Sequence, residues 1–278
     1  MQIVDNIDEL QSKLSLQQSS IGFVPTMGAL HKGHLSLVKE SVANNGCNVV
    51  SIYVNPTQFN DKKDLKKYPR NLEQDFNLLK NTGVDIVFTP KDSEMYPKPD
   101  NRQFDFGNLD KIMEGKHRPG HFNGVGQIVL KLFDIVKPQK AYFGLKDFQQ
   151  LAIINKLVKD YQLDIEVVPC PIIREQDGLA MSSRNVLLEE NKRKAAPFIF
   201  KTLQKAVEMS GHTKPDGIIS TVKADFEKNK ELSLEYFEIV DNENLQPVKI
   251  FSRELPCTAC IAVVAGKVRL IDNVQFYL

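Results

Sequence analysis

Two histidines and two glycines crowd together in Pro25-Thr-Met-Gly-Ala-Leu-His-Lys-Gly-His34, directly after a short apolar run. Gly28 and Gly33 let backbone approach a ligand with no Cβ in the way. A helix beginning at about His34 would aim its free N–H groups and positive dipole end at that ligand. His31 and His34 are three residues apart, so both can face one anion. Alone, such a pair is often two solvated histidines on a turn. Set on a glycine turn after a strand, it points to phosphate binding. Gly-Lys-Ser/Thr is absent, so this is not a P-loop, and G-x-G-x-x-G is absent too, which argues against a dinucleotide.

A second group is Gly178-Leu-Ala-Met-Ser-Ser-Arg-Asn185. Its two hydroxyls and guanidinium are donors suited to a polyphosphate, and arginine can make a bidentate contact. The third group joins Val54-Asn-Pro-Thr-Gln-Phe59 to Phe143-Gly-Leu-Lys-Asp-Phe-Gln-Gln150. Asn55 and Gln58 are neutral hydrogen-bonding residues suited to a hydroxyl or carboxylate. Lys146 is a flexible cation, with Gln150 one helical turn further on. Taken singly, each segment also reads as a polar loop with a helix cap; their shared placement at strand ends sets them apart.

Short β-branched runs alternate with longer amphipathic segments. Ile21-Gly-Phe-Val24, Val49-Val-Ser-Ile-Tyr-Val54, Asp85-Ile-Val-Phe88, Lys140-Ala-Tyr-Phe143 and Ile165-Glu-Val-Val168 read as strands. Helices are expected over 34–42, 71–80, 125–136 and 148–161. In the second, Leu72, Phe76 and Leu79 recur at the spacing of one buried face. Such alternation requires crossovers, so the expected class is α/β: a Rossmann-like, mostly parallel sheet with helices on both faces. Ligands of these sheets sit beyond the carboxyl ends of the strands. From about Gln176 the pattern changes to helix-like stretches over 189–209 and 216–229, then strand-like runs over 234–240, 257–264 and 268–271. That order predicts a smaller C-terminal α+β domain with an antiparallel sheet. The boundary falls near 173–177, giving domains 1–175 and 176–278.

The 278 residues are 42% hydrophobic and 26% charged, an ordinary globular balance. Thirty-six basic residues against 35 acidic ones leave a net charge of +1, with no global field to favour nucleic acid or an anionic membrane. No apolar run approaches the roughly 20 residues that span a bilayer, and the N-terminus is neither a signal nor a transit peptide. Sparse cysteines, Cys47, Cys170, Cys257 and Cys260, suggest free thiols in a reducing, cytoplasmic setting. Cys257-x-x-Cys260 could be half a zinc site or a redox pair. It has no second Cys or His pair nearby and runs into a strand-like segment, so buried strand cysteines are the favoured reading.

Paired with the second loop, the H-x-G-H turn resembles the signatures of the nucleotidylyltransferase superfamily, which includes the class I aminoacyl-tRNA synthetases. One family in particular fits: the pantothenate synthetase (pantoate–β-alanine ligase) family. The resemblance rests on residues 25–34, Val54-Asn-Pro-x-Gln-Phe59, Gly144-x-Lys-Asp-x-Gln-Gln150 and Asp177-Gly-Leu-Ala-Met-Ser-Ser-Arg-Asn185, with Tyr68-Pro-Arg70 and Gly115-x-x-Arg-Pro-Gly-His-Phe-x-Gly-Val125 besides. It runs in order along almost the whole chain. It implies that pantoate attacks the α-phosphorus of ATP, releasing pyrophosphate, and that β-alanine then displaces AMP from pantoyl adenylate. Residue by residue, it implies an ATP site lined by Met27, Gly28, Ala29, Leu30, His31, Lys32, Gly33 and His34. Gly144, Leu145, Lys146 and Asp147, together with Met181, Ser182, Ser183 and Arg184, would complete that site, with Ile173 near the adenine. Leu145 departs from the polar residue that many members carry. Gln58 and Gln150 would hold pantoate, Gln58 also facing β-alanine. His34 is the family's proton donor, although at a helix N-terminus its neutral form suits phosphate stabilisation better. Lys146, with His31, His34 and Arg184, would stabilise charge on the phosphates. Mg2+ should accompany ATP, held mainly by phosphate oxygens and water, so no protein ligand is assigned. A homodimer through the larger domain and a lid-like smaller domain are also implied.

Two other readings share parts of this pattern. A nucleotidylyltransferase of cofactor biosynthesis would keep the turn and the second loop, but its phosphate-bearing acceptor would want cations where Gln58 and Gln150 stand. A nucleotide-sensing module would need neither Lys146 nor the Ser182-Ser183-Arg184 loop.

Overall fold

Phe23 and Val24 are neighbours on one strand, yet they belong to different hydrophobic clusters, because successive side chains of a strand point to opposite faces. That alternation sets the larger part of the molecule. The structure is a computed structural model, and it describes residues 1–276. Two compact units divide the chain: residues 1–145 with 150–171, and residues 146–149 with 172 onward. Residues 277 and 278, the end of the predicted second domain, lie outside the described residues.

The first unit contains β1 (Gln2–Val4), α1 (Ile7–Ser15), β2 (Ile21–Thr26), α2 (Lys32–Asn44), β3 (Cys47–Ile52), α3 (Lys62–Lys67), α4 (Leu72–Leu79), β4 (Ile86–Phe88), α5 (Asp92–Met95), α6 (Met113–His117), α7 (His121–Val136), β5 (Lys140–Gly144), α8 (Phe148–Asp160) and β6 (Glu166–Cys170). Its six strands lie in the order β1-β4-β3-β2-β5-β6, every pairing parallel. Phe23, Val49, Ile86 and Phe143 face α1, α7 and α8, while Val24, Val50, Val87 and Tyr142 face α2 and α4. Both faces are therefore covered, as expected of a buried parallel sheet. From β2 the chain moves outward through β3 to β4, then returns to lay β5 on the other side of β2. The direction of winding reverses between β2 and β5, and ligands bind at such a reversal.

The second unit contains α9 (Glu190–Ala195), α10 (Phe198–Met209), α11 (Pro215–Glu227) and an antiparallel sheet, β7 (Ser233–Asp241), β8 (Cys257–Ala265) and β9 (Val268–Phe276), in that order. Ile199, Leu203, Ile218, Val222 and Phe226 of the helices pack on Phe237, Ile239, Ile261 and Val263. The expected fold class, a parallel α/β sheet with a smaller α+β part, is the one observed.

Several boundaries differ from the sequence reading. The first strand is β1, not the run at Ile21; three residues, two of them exposed, carry too little periodicity to register. The helix expected over 189–209 is two helices, broken at Ala196-Pro197, where Pro197 caps α10. Helix α2 starts at Lys32, not His34, and α7 starts at His121, four residues before the predicted Val125. Short helices α3, α5 and α6 occupy stretches expected to be irregular. Cys257 and Cys260 are buried on β8. Three residues of strand separate them by roughly 10 Å and turn them to opposite faces, which excludes a disulfide between them. Burial pushes the Cys257 thiol up to about 11. Among the described residues no helix is long and apolar enough to cross a membrane.

Gly22 marks a close approach of α2 to β2. A Cβ there would lie 2.3 Å from Ser41 Oγ, a hydroxyl that donates to buried Asn48 at 2.7 Å. Gly22→Ala should therefore lower stability by about 1–3 kcal/mol, read as an earlier urea midpoint with an unchanged m-value.

Candidate functional site

The turn after β2 is built from two residues with positive φ in succession, Gly28 (+77°) and Ala29 (+50°). A Cβ on Gly28 would stand 2.9 Å from Asp75 Oδ2 and 3.0 Å from Ile52, so glycine is needed here for space as well as φ. Alanine in the left-handed region is strained by itself, and Asp75 of α4 holds it there. Its carboxylate accepts from Ala29 N–H at 3.0 Å and from Leu30 N–H at 2.7 Å, and it is 1% exposed. Burial raises the Asp75 pKa above the ordinary carboxylate range, and the two backbone N–H groups pull it back in part.

From this turn the chain enters α2 through a reciprocal histidine cap. His31 Nδ1 accepts from Gly33 N–H at 3.1 Å, and His34 Nδ1 accepts from His31 N–H at 3.3 Å. This is the capping-box geometry with histidine in both roles. Because each Nδ1 accepts, each neutral ring carries its proton on Nε2 and offers a donor there. The ring centroids are 4.1 Å apart, so the structure brings together the two histidines that the spacing paired. It also corrects their placement: both belong to the cap, with His31 the N-cap itself.

Gln58 sits in a 3-10 turn over Pro56–Gln58, beyond β3. Its side chain is buried, donating through Nε2 to Met27 Sδ at 3.4 Å and accepting through Oε1 from Asn55 Nδ2 at 3.1 Å. Helix α7 presses on this turn, since a Cβ on Gly124 would lie 2.5 Å from the Thr57 carbonyl oxygen. His121, the first residue of α7, has Nδ1 at 2.8 Å from the Gln58 carbonyl and Nε2 at 3.1 Å from Arg118 Nη1. A carbonyl only accepts and a guanidinium only donates, so His121 is the neutral Nδ1–H tautomer. A cavity of about 250 Å³ opens nearby, lined among others by Met27, Gly28, Tyr53, Pro56, Arg70 and Asp75. Gln150, in the first turns of α8, is half-buried and its side chain has no hydrogen-bond partner among the described residues.

In the second unit, one pair of residues on β9 organises two of the predicted segments. Asp272 takes a two-pronged contact from Arg174, at 2.6 Å to Nη1 and 3.0 Å to Nη2, while the guanidinium lies 3.7 Å from the Phe200 ring centroid. Arg174 also donates to the Gly178 carbonyl at 3.1 Å. Burial raises the Asp272 pKa, and Arg174 opposes that shift. Next to it, Asn273 Nδ2 donates to the Lys146 carbonyl at 3.0 Å, tying down the 3-10 turn Leu145–Asp147. The Lys146 ammonium lies 3.7 Å from Asp147 Oδ1. Ile173 accepts from Met181 N–H at 2.9 Å, which closes the loop toward Ser182, Ser183 and Arg184. Ser182 Oγ accepts from Arg184 N–H at 3.2 Å, and all four of residues 181–184 are half-buried. Arg193 braces the base of this loop through Glu175 and Asp177 and holds the Asp177 carboxyl below the usual range.

Sequence reasoning passed over Asp75, Asp272 and Asn273. The last two left a trace, a polar Asp-Asn pair breaking the apolar alternation of Val268-Arg-Leu-Ile-Asp-Asn-Val. Asp75 left none, because an acidic residue in the first turn of a helix is common on dipole grounds alone.

Solved structures similar over the whole length fix the class as an α/β ligase. Pantothenate synthetase from Thermus thermophilus is 40% identical with a TM-score of 0.94, covering 100% of both chains. A pantoate-beta-alanine ligase from Francisella tularensis, complexed with beta-gamma ATP and beta-alanine, is 36% identical with a TM-score of 0.83, covering 99% of this chain and 97% of that one. A pantothenate synthetase of Bacteroides thetaiotaomicron is 50% identical over 279 residues, and one of Bacteroides fragilis is 51% identical, each over 99% of both chains. The model of the pantoate-beta-alanine ligase family matches residues 2–275, and the chain belongs to that family, as an enzyme of pantothenate biosynthesis.

Asp75→Asn would leave one of the two turn N–H groups facing an amide nitrogen, which cannot accept. We expect a loss of about 1–3 kcal/mol of stability, read as an earlier urea midpoint. The pH dependence has a definite sign. The raised pKa means that Asp75 withdraws stability as pH climbs from the unfolded carboxylate range through its folded value. Urea unfolding between pH 4 and 7 should show that slope reduced in the variant.

Proposed function

We propose that this chain condenses pantoate with β-alanine to pantothenate through pantoyl adenylate. The pantoate carboxylate attacks the α-phosphorus of ATP and pyrophosphate leaves. The β-alanine amine then attacks the acyl carbon, and AMP leaves. The observation that carries this reading is the 3.4 Å contact between Gln58 Nε2 and Met27 Sδ. It sets the candidate acid-binding residue directly against the candidate nucleotide turn, which an acyl-adenylating enzyme requires. Family membership over residues 2–275 supports the same reaction, and the Francisella tularensis enzyme is complexed with both beta-gamma ATP and beta-alanine.

In this scheme residues 27–34 hold ATP phosphates through the N-terminus of α2 and the Nε2–H donors of His31 and His34. A neutral Nε2–H donor stabilises phosphate oxygen without supplying net charge, so the cation needed for the leaving pyrophosphate is Lys146. Gly144, Leu145 and Asp147 flank it, Ser182, Ser183 and Arg184 add donors, and Ile173 and Met181 supply apolar contact for the base. Gln58 and Gln150 hold pantoate, Gln58 also meeting β-alanine. Among the described residues no group of three or more His, Cys, Asp or Glu side chains could cage a metal. A Mg2+ ion arriving with ATP would be held mainly by phosphate oxygens and water, and would neutralise phosphate charge. Cytoplasmic location and a homodimer, checked by sedimentation, belong to the same proposal.

Pyrophosphate release from ATP, Mg2+ and pantoate should show a burst of about one equivalent per site, becoming steady turnover with AMP formation when β-alanine is added. No release with pantoate would refute the scheme. Lys146→Ala should slow adenylate formation by about a hundredfold or more, roughly 3 kcal/mol of transition-state stabilisation, with the fold intact by circular dichroism. Ser182→Ala combined with Ser183→Ala should weaken ATP binding.

A further inference from the structure

Asn55 is fully buried, and both ends of its amide are engaged. The Gly124 carbonyl can only accept, so the Asn55 atom 3.1 Å from it is the nitrogen, Nδ2. Oδ1 then faces two hydroxyls: Tyr96 Oη donates to it at 2.8 Å and Thr57 Oγ1 at 3.2 Å. The second Nδ2 proton points at Gln58 from 3.1 Å, so the Gln58 atom there is Oε1. One backbone carbonyl thus fixes the flip of both amides, a choice that heavy-atom positions alone leave open. Gln58 is left with Nε2 as its other end, resting on a thioether. Sulfur is a weak acceptor, readily exchanged for a substrate oxygen.

Tyr96 is itself firmly held. The Lys131 ammonium lies 4.4 Å from its ring centroid while donating to the Met95 carbonyl. Tyr53, whose ring centroid is 6.5 Å away, is anchored by its own hydroxyl to Asp92 at 2.9 Å. Burial raises the Tyr96 pKa, which keeps the phenol protonated as a donor.

We propose that Tyr96 is a positioning residue of the acid site, holding Asn55 in the orientation that the Gly124 carbonyl selects, so that Gln58 meets the substrate only as a donor. The substrate oxygen opposite it is a carboxylate or a hydroxyl acting as acceptor. The same polarity is a specificity rule, because an acid presenting an N–H at that point meets a second donor and is rejected. This inference rests on the reading of Gln58 as an acid-binding residue.

Steady-state kinetics of Tyr96→Phe, Gln58→Glu and Gln58→Ala, varying pantoate and ATP separately, test it. Tyr96→Phe removes one oxygen and keeps the ring packing. It should raise the pantoate KM about tenfold, the size of one lost hydrogen bond, with the ATP KM unchanged. Gln58→Glu keeps the Asn55 contact but puts an acceptor at the other end, so it should impair pantoate use at least as much as Gln58→Ala. A wild-type pantoate KM in Tyr96→Phe, or pantoate binding retained in Gln58→Glu, overturns the proposal. An unchanged pantoate KM in Gln58→Ala instead overturns the assignment of Gln58 beneath it. Thermal midpoints within a few degrees of wild type verify folding; if Tyr96→Phe does not fold, the two Gln58 variants decide the matter.

Discussion

A carboxylate taken out of water must find donors, and at Asp75 the donors are the N–H groups of Ala29 and Leu30. The geometry of the candidate nucleotide turn depends on that contact. It holds Ala29 in a left-handed conformation that an L-residue seldom adopts, and it can do so only because Gly28 has no side chain to keep Asp75 away. The turn then delivers His31 to the N-cap of α2 and His34 to its third position, where each ring accepts one backbone N–H. The two hydrogen bonds to Asp75 offset part of the cost of its burial and of the strained alanine, and the turn they hold stands at the reversal of the sheet's winding.

The parallel sheet supplies the frame for this turn. Strands β3, β2 and β5 are adjacent, and their carboxyl ends lie at one edge because every pairing is parallel. Residues after those strands are therefore neighbours in space although they stand far apart in sequence. Gln58 illustrates the consequence: it is 31 residues from Met27 and touches it. The press of α7 through Gly124 then locks the Gln58 turn against the backbone.

The second unit solves a similar problem with an antiparallel sheet. Asp272 and Asn273, successive residues of β9, point to opposite sides of their strand and so reach two different segments. One neutralises Arg174 at the base of the loop that leads to Ser182, and the other ties the carbonyl of Lys146. Arg193, with Glu175 and Asp177, stiffens the same loop from its other side. Local loop sequence alone would leave these segments free to fray.

Sequence by itself determined the alternation of strands and helices, the parallel α/β class, the change of pattern near residue 176 and the motif residues that fall at strand ends. These are legible because hydrophobic period and turn chemistry are local properties, written within a dozen residues. It determined poorly the short or edge elements, such as β1 and the break at Pro197, where few residues carry the period. Only the tertiary structure decided where Asp75, Asp272, Asn273 and Tyr96 make their contacts. None of them drew notice as a chemical group in the sequence, and each works through a partner far along the chain. Tyr96 lies 41 residues from Asn55, Asp272 lies 98 from Arg174, and Asn273 lies 127 from Lys146. The orientation of the Gln58 amide is also beyond the reach of sequence. It is set by which atoms can accept and which can donate once the chain has closed around Asn55, and that is a property of contacts between distant segments.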